Sequence, residues 1–156
     1  MPDTNLSRWI KATLRQAAWA PSLVFLLHIF LTLLFDIYAR LPAFDIPMHF
    51  VGGLAIALFF HCASINASHF GVLGPFHPVT HVILVFSLVC VAAIFWEFAE
   101  FTCDRVFRAK HQIGLDDTIL DMFLGVLGGV TFLVAVRVVH GPAVRSEKST
   151  GTDDEG

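Results

Sequence analysis

The sequence predicts an all-α fold, a polytopic integral membrane helix bundle of four transmembrane helices with a short N-terminal amphipathic helix before them. Three observations carry that expectation. Hydrophobic residues make up 56% of the 156 residues and the mean hydropathy is +0.71, well above the composition of a soluble domain. Sixteen Phe stand against one Tyr, which suits apolar surface facing something other than water. Four apolar runs each reach roughly 20 residues, enough to cross a hydrocarbon core.

In chain order, residues 1–18 are polar with helical spacing, Arg8, Lys11 and Arg15 alternating with Leu6, Trp9, Ile10 and Leu14. This pattern predicts an amphipathic helix at the membrane interface, anchored by Trp9 and Trp19. A signal peptide is the competing reading. The apolar run that follows is longer than a usual signal core and lacks a small-x-small cleavage site, so residues 19–38 are taken as the first span. The second span is expected at residues 47–65, opened by Pro47 at a helix start. The third is expected at 79–104 and the fourth at 118–139.

Residues 66–78 are rich in Ser, Gly, Pro and His and read as a loop. Residues 105–117 form the most charged connection. Residues 1–142 are read as a single membrane domain and residues 143–156 as a disordered polar tail. The net charge of −3 and the lack of a basic stripe exclude a nucleic-acid partner. The expected partner is the lipid bilayer of a bacterial or archaeal inner membrane, and a homo-oligomer is compatible with the sequence. Cys62, Cys90 and Cys103 have neither disulfide nor zinc spacing and are read as packing residues.

Four spans put both termini on the side of loop 66–78, together with Arg8, Lys11, Arg15, Arg145 and Lys148, and with Arg137 near it. Arg40, Arg105, Arg108 and Lys110 fall on the other side, so the balance favours cytoplasmic termini. The same topology gathers Asp36, Asp45, His49, Glu97, Glu100, Asp104, Asp116, Asp117 and Asp121 at one end of the bundle.

Within Phe95-Trp96-Glu97-Phe98-Ala99-Glu100-Phe101-Thr102-Cys103-Asp104, the spacing i, i+3, i+7 sets three carboxylates on one helical face. Glu97 lies about 10 Å inside the end of its span at roughly 1.5 Å per residue. Charge at that depth is costly unless it is paired, solvated or functional. His49, Glu97, Glu100 and Asp121 therefore form a candidate ligand set for a divalent metal such as Zn, Mn or Fe. Glu97 or Glu100 is the candidate general base on water, and Asp117, Thr118 and Asp104 stand beside the set as supports. Neither substrate nor reaction follows from these residues, and whether the chain is an enzyme is left open.

Blander readings stand beside this one. Asp117-Thr118 is a natural helix N-cap. Asp36, Asp45, Asp104 and Asp116 fit solvated helix ends, and Arg105 and Arg108 could simply pair with Glu100 or Asp104. These readings are weakest for Glu97 and Asp121. A proton- or cation-coupled transport element would use the same residue types, and a non-catalytic protein could keep the cluster for helix packing. Gly52, Gly53, Gly125, Gly128 and Gly129 are expected to bring the second and fourth spans close. His61 and His81 come nearest to a bis-histidine haem pair, with hydrogen-bonded interface histidines as the favoured alternative.

Three motifs carry a family resemblance. Phe44-Asp45-Ile46-Pro47-Met48-His49-Phe50-Val51-Gly52-Gly53 resembles the Asp-x-x-x-His-Phe-x-x-Gly helix opening of YjdF-like bacterial inner-membrane proteins. Phe95-Trp96-Glu97-Phe98-Ala99-Glu100-Phe101 is similar to their aromatic-Glu-x-x-Glu segment. Asp117-Thr118-Ile119-Leu120-Asp121-Met122 and the glycines after it resemble their Asp-Thr-x-x-Asp helix start. VanZ-like membrane proteins share a looser version. The resemblance implies a polytopic membrane fold with His49, Glu97, Glu100, Asp117 and Asp121 as its polar signature, and it implies no reaction. The chain departs from these relatives in having four expected spans rather than six, and in lacking a Gly-Asp-rich stretch after the third.

Overall fold

A computed structural model of the chain describes residues 4–35, 37–107 and 114–140. Asp36, Arg108, Lys110, Arg145, Lys148 and the expected tail at 143–156 lie outside the described residues. Among the described residues the regular structure is helical: α1 (Asn5–Ala17), α2 (Trp19–Phe35), α3 (Ile37–Arg40), a 3-10 turn (Pro42–Phe44), α4 (Asp45–His69), α5 (Pro78–Phe107) and α6 (Leu115–His140).

α4, α5 and α6 run past the bounds expected for the second, third and fourth spans, whereas α2 stops at Phe35, short of the expected residue 38. α4 begins two residues ahead of Pro47, whose missing N–H costs nothing in the first turn of a helix. α6 begins at Leu115, and the Thr118 N–H bonds to the Gly114 carbonyl at 3.2 Å. Asp117 is therefore inside the first turn and not the N-cap. With Asp116 it sets negative charge against the positive end of the helix dipole. α4, α5 and α6 are each long and apolar enough to cross a membrane. α2 has 17 residues, or about 25 Å at 1.5 Å per residue. It meets α1 at a bend of 54°, and the two supply a fourth span if taken as one. The described helices thus give three spans, or four with that pair, where the sequence suggested four.

The surface is the reverse of a soluble protein's. Leu33 is 77% exposed, Phe95 65% and Val139 72%, as expected of helices facing lipid. The interior is built of small residues and a few branched ones. Ala57, Val85, Val89 and Leu133 form the buried core where α4, α5 and α6 meet, with Ile56, Phe60, Val82 and Phe132 packed on it.

α4 and α6 form the closest helix pair, and glycine is the reason. A Cβ at Gly53 would run into the Gly125 carbonyl, and one at Gly128 into the Phe50 carbonyl. The two backbones touch there, an approach that small residues permit in membrane helices. Gly52 differs from the expectation: a Cβ there would meet nothing within 4 Å, so it leaves space and closes no helix contact.

α1 docks on the far half of α4. Thr4 caps it by accepting the Ser7 N–H at 3.2 Å. The Trp9 indole N–H donates to the Ala63 carbonyl at 2.8 Å, so Trp9 is tied into the protein, whereas Trp19 is 60% exposed. Asn66 Nδ2 donates to Thr13 Oγ1 and Gln16 Oε1 at 3.3 and 3.0 Å. Arg137, near the end of α6, donates to the Pro78 carbonyl at the start of α5 at 2.8 Å. That bond ties the ends of the two helices together.

Candidate metal centre

The polar cluster sits where α4 starts, α5 nears its end and α6 starts. α4 supplies Asp45 and His49 at i, i+4 spacing, which stacks them on one face. His49 Nε2 lies 3.2 Å from Asp45 Oδ1 and 3.7 Å from Asp121 Oδ1 of α6. Gly53 and Gly125 each follow one turn after His49 and Asp121. The backbone contact between those glycines therefore brings the two side chains within reach of one another.

α5 supplies Glu97 and Glu100 from the third side. Glu97, Glu100 and Asp121 are only 4%, 9% and 3% exposed, a depth at which acidic groups rarely stand without partners. The Trp96 indole N–H donates to Glu100 Oε1 at 2.8 Å and fixes that carboxylate. Trp96 is itself clasped edge-on by Phe25 and His28 of α2, with ring centroids at 6.0 and 5.2 Å. His28 Nδ1 and the Tyr38 hydroxyl share a hydrogen bond of 2.7 Å. Among the described residues, every buried side-chain nitrogen and oxygen has a partner.

Two triplets result, Asp45–His49–Asp121 and His49–Glu97–Glu100, and within each the donor atoms lie within 4.8 Å of one another. A coordination sphere of about 2.1 Å radius spans nearly that distance, so the donor atoms of each triplet stand near the spacing that an ion would need. The four residues proposed from the sequence are all here, but not as one set: His49 is the hub of two adjoining triplets. Asp45, expected as a solvated helix end, belongs to one of them. The i, i+4 spacing to His49 was the signal for it, as it was for Trp96 and Glu100. Neither Asp104 nor Asp117 supplies an atom to either triplet. Both are half-buried, as is Thr118, and Asp116 is exposed.

A cavity of about 270 Å³ adjoins the cluster. His49 and Asp121 form its polar end, Trp96 and His28 part of one wall, and Val24, Ile56 and Val89 much of the rest. Further along the bundle, His61 Nδ1 and His81 Nε2 are 3.0 Å apart and Ser64 Oγ is 3.2 Å from His81 Nδ1. The two rings bond directly to each other, the arrangement of interface histidines and not of axial ligands spaced around a haem iron.

Apolar outer faces, three to four potential spans and a histidine–carboxylate group at one end define a multi-pass membrane protein with a buried polar centre. The chain belongs to the family described as "Predicted membrane protein (DUF2238)", which matches residues 6–142, and the YjdF-like motifs agree with that assignment. It is 33% identical over 106 residues to an "Uncharacterized protein" of Thermotoga maritima, covering 67% of this chain and 53% of that protein. The chain thus spans about half the length of that relative. No solved structure matches.

Proposed function

We propose that the protein is a divalent-metal centre of the membrane, hydrolytic toward an ester or phosphoester at the membrane surface. The observation that carries this is the meeting of one histidine with four carboxylates from three helices, most of them deep in apolar surroundings. Imidazole and carboxylate together suit Zn, Mn or Fe, and a cation offsets the repulsion that packed carboxylates would otherwise suffer. The ion would polarise the scissile bond and acidify water.

The chain's own residues divide the remaining work. His49 and Asp121 would hold the ion, with Asp45 at the rim. Glu97 or Glu100 takes a proton from the attacking water as its oxygen bonds to carbon or phosphorus, and returns the proton to the leaving oxygen as the ester bond breaks. Trp96 keeps Glu100 pointed at the site. Asp117, Thr118 and Asp104 support this end of the helices. The arginine and lysine distribution supports cytoplasmic termini in a bacterial or archaeal inner membrane.

A proton- or cation-coupled transport element is the second reading, favoured by the His61–His81 pair farther along the bundle. The core of Ala57, Val85, Val89 and Leu133 where α4, α5 and α6 meet weighs against it. Titration of Zn or Mn into chelator-treated protein tests the proposal. One ion bound in wild type and none in Asp121→Ala supports a metal centre, and Glu97→Ala tests whether that side chain holds the ion or serves only as base. No binding in wild type removes it, and a loss of fold in both variants with no wild-type binding points to a purely structural cluster.

A further inference from the structure

We infer that the cavity beside the polar cluster seats a single hydrocarbon chain of a membrane lipid, with the lipid's polar junction at His49 and Asp121. The inference rests on reading that cluster as a metal centre and names the substrate class it would take.

The first argument is shape with polarity. The space of about 270 Å³ is bordered by His49 and Asp121 of the cluster and by His28 and Trp96, and is otherwise lined by apolar residues such as Val24, Ile56, Val89 and Ala92. That space is of the size that takes a segment of one hydrocarbon chain. Its apolar lining suits a hydrocarbon guest, burial of which is favourable. A headgroup carrying an ester or phosphate then falls where a cation held by His49 would meet it.

The second argument is where the room comes from. Gly53 is required by the α4–α6 contact, but its neighbour Gly52 touches nothing and opens directly on the cavity. Ala92 and Ala93 do the same from α5. On the remaining side, α2 reaches α5 through the Phe25 and His28 rings on Trp96, while its own backbone packs on α4. Leu23 and Leu26 of α2 are about 60% exposed, at 60% and 61%. The wall between α2 and α5 is thus side chains alone, and it faces the lipid phase from which a chain would enter.

The test uses Trp96 as reporter. In a Trp9→Phe, Trp19→Phe background in detergent, Trp96 is the sole tryptophan, and the probe is lysophosphatidylglycerol with a dibrominated chain. The inference predicts saturable quenching of Trp96, relieved by the unbrominated lysolipid and weakened at least tenfold in both Gly52→Leu and Ala92→Leu, which fill the cavity. Metal binding is measured on the same samples and stays intact in the Leu variants. Quenching that rises without saturation, or that both Leu variants leave unchanged while metal is bound, overturns the chain seat and spares the metal centre. Saturable quenching lost in the Leu variants, in protein that binds no metal, keeps the chain seat and overturns the metal centre.

Discussion

His49 Nε2 stands 3.7 Å from Asp121 Oδ1, and the spacing is set one turn farther along by glycine. Gly53 and Gly125 place α4 and α6 backbone to backbone. The polar contact is therefore a consequence of a packing decision, and the two should fail together. Gly53→Ala and Gly128→Ala would each cost about 1–3 kcal/mol by overpacking. Both are expected to lower the melting temperature in detergent and to weaken metal binding. Gly52→Ala, which meets nothing, should lower neither, and thermal melts alongside metal titration separate the three.

The carboxylates differ in what their loss should do. Asp121 is buried and faces His49 from another helix, so Asp121→Asn is expected to abolish metal binding. Asp45 sits at the rim with 21% of its side chain exposed. Asp45→Asn should weaken binding by about 10–100-fold, the range for a partner that orients a ligand. Equal losses from the two substitutions would contradict the division of roles.

Trp96 is predicted to matter through Glu100. Trp96→Phe keeps an aromatic ring against Phe25 and His28 but removes the N–H donor. Removing one partner of a buried hydrogen bond costs about 1–3 kcal/mol, so unfolding of metal-free protein should move by no more than that. Metal affinity should fall about 10–100-fold. Calorimetry on both forms checks the two effects separately.

Acid should weaken the metal complex. His49 must be neutral and its carboxylate neighbours ionised to bind a cation, so protons compete with the metal and binding releases them. Affinity is expected to fall as pH falls, and the measured binding heat should change with the ionisation heat of the buffer. A buffer-independent heat would contradict this.

Much of this architecture was legible in the sequence because membrane helices announce themselves by length and hydropathy. The long runs, the shared end for Glu97, Glu100, Asp121 and His49, and the value of Gly53 and Gly128 all follow from period and spacing. Other features depended on geometry that spacing does not fix. The 54° bend between α1 and α2 falls one turn before Pro21, which has no N–H to give the Ala17 carbonyl, but its angle cannot be read from spacing. Asp45 looked like a helix-end acid because its burial depends on α6, not on its own neighbours. Gly52 and Gly53 are equivalent in a pattern of small residues, yet one closes a helix contact and the other opens a cavity. That difference is a matter of rotation about the α4 axis, which only the packed bundle sets.

The central claim is that a divalent ion belongs at His49. Elemental analysis of protein purified without added metal or chelator, with Asp121→Ala prepared in parallel, addresses it most directly. The account predicts close to one Zn, Mn or Fe per wild-type chain and a background level in the variant. Background metal in both, with no ion taken up on titration, would contradict it.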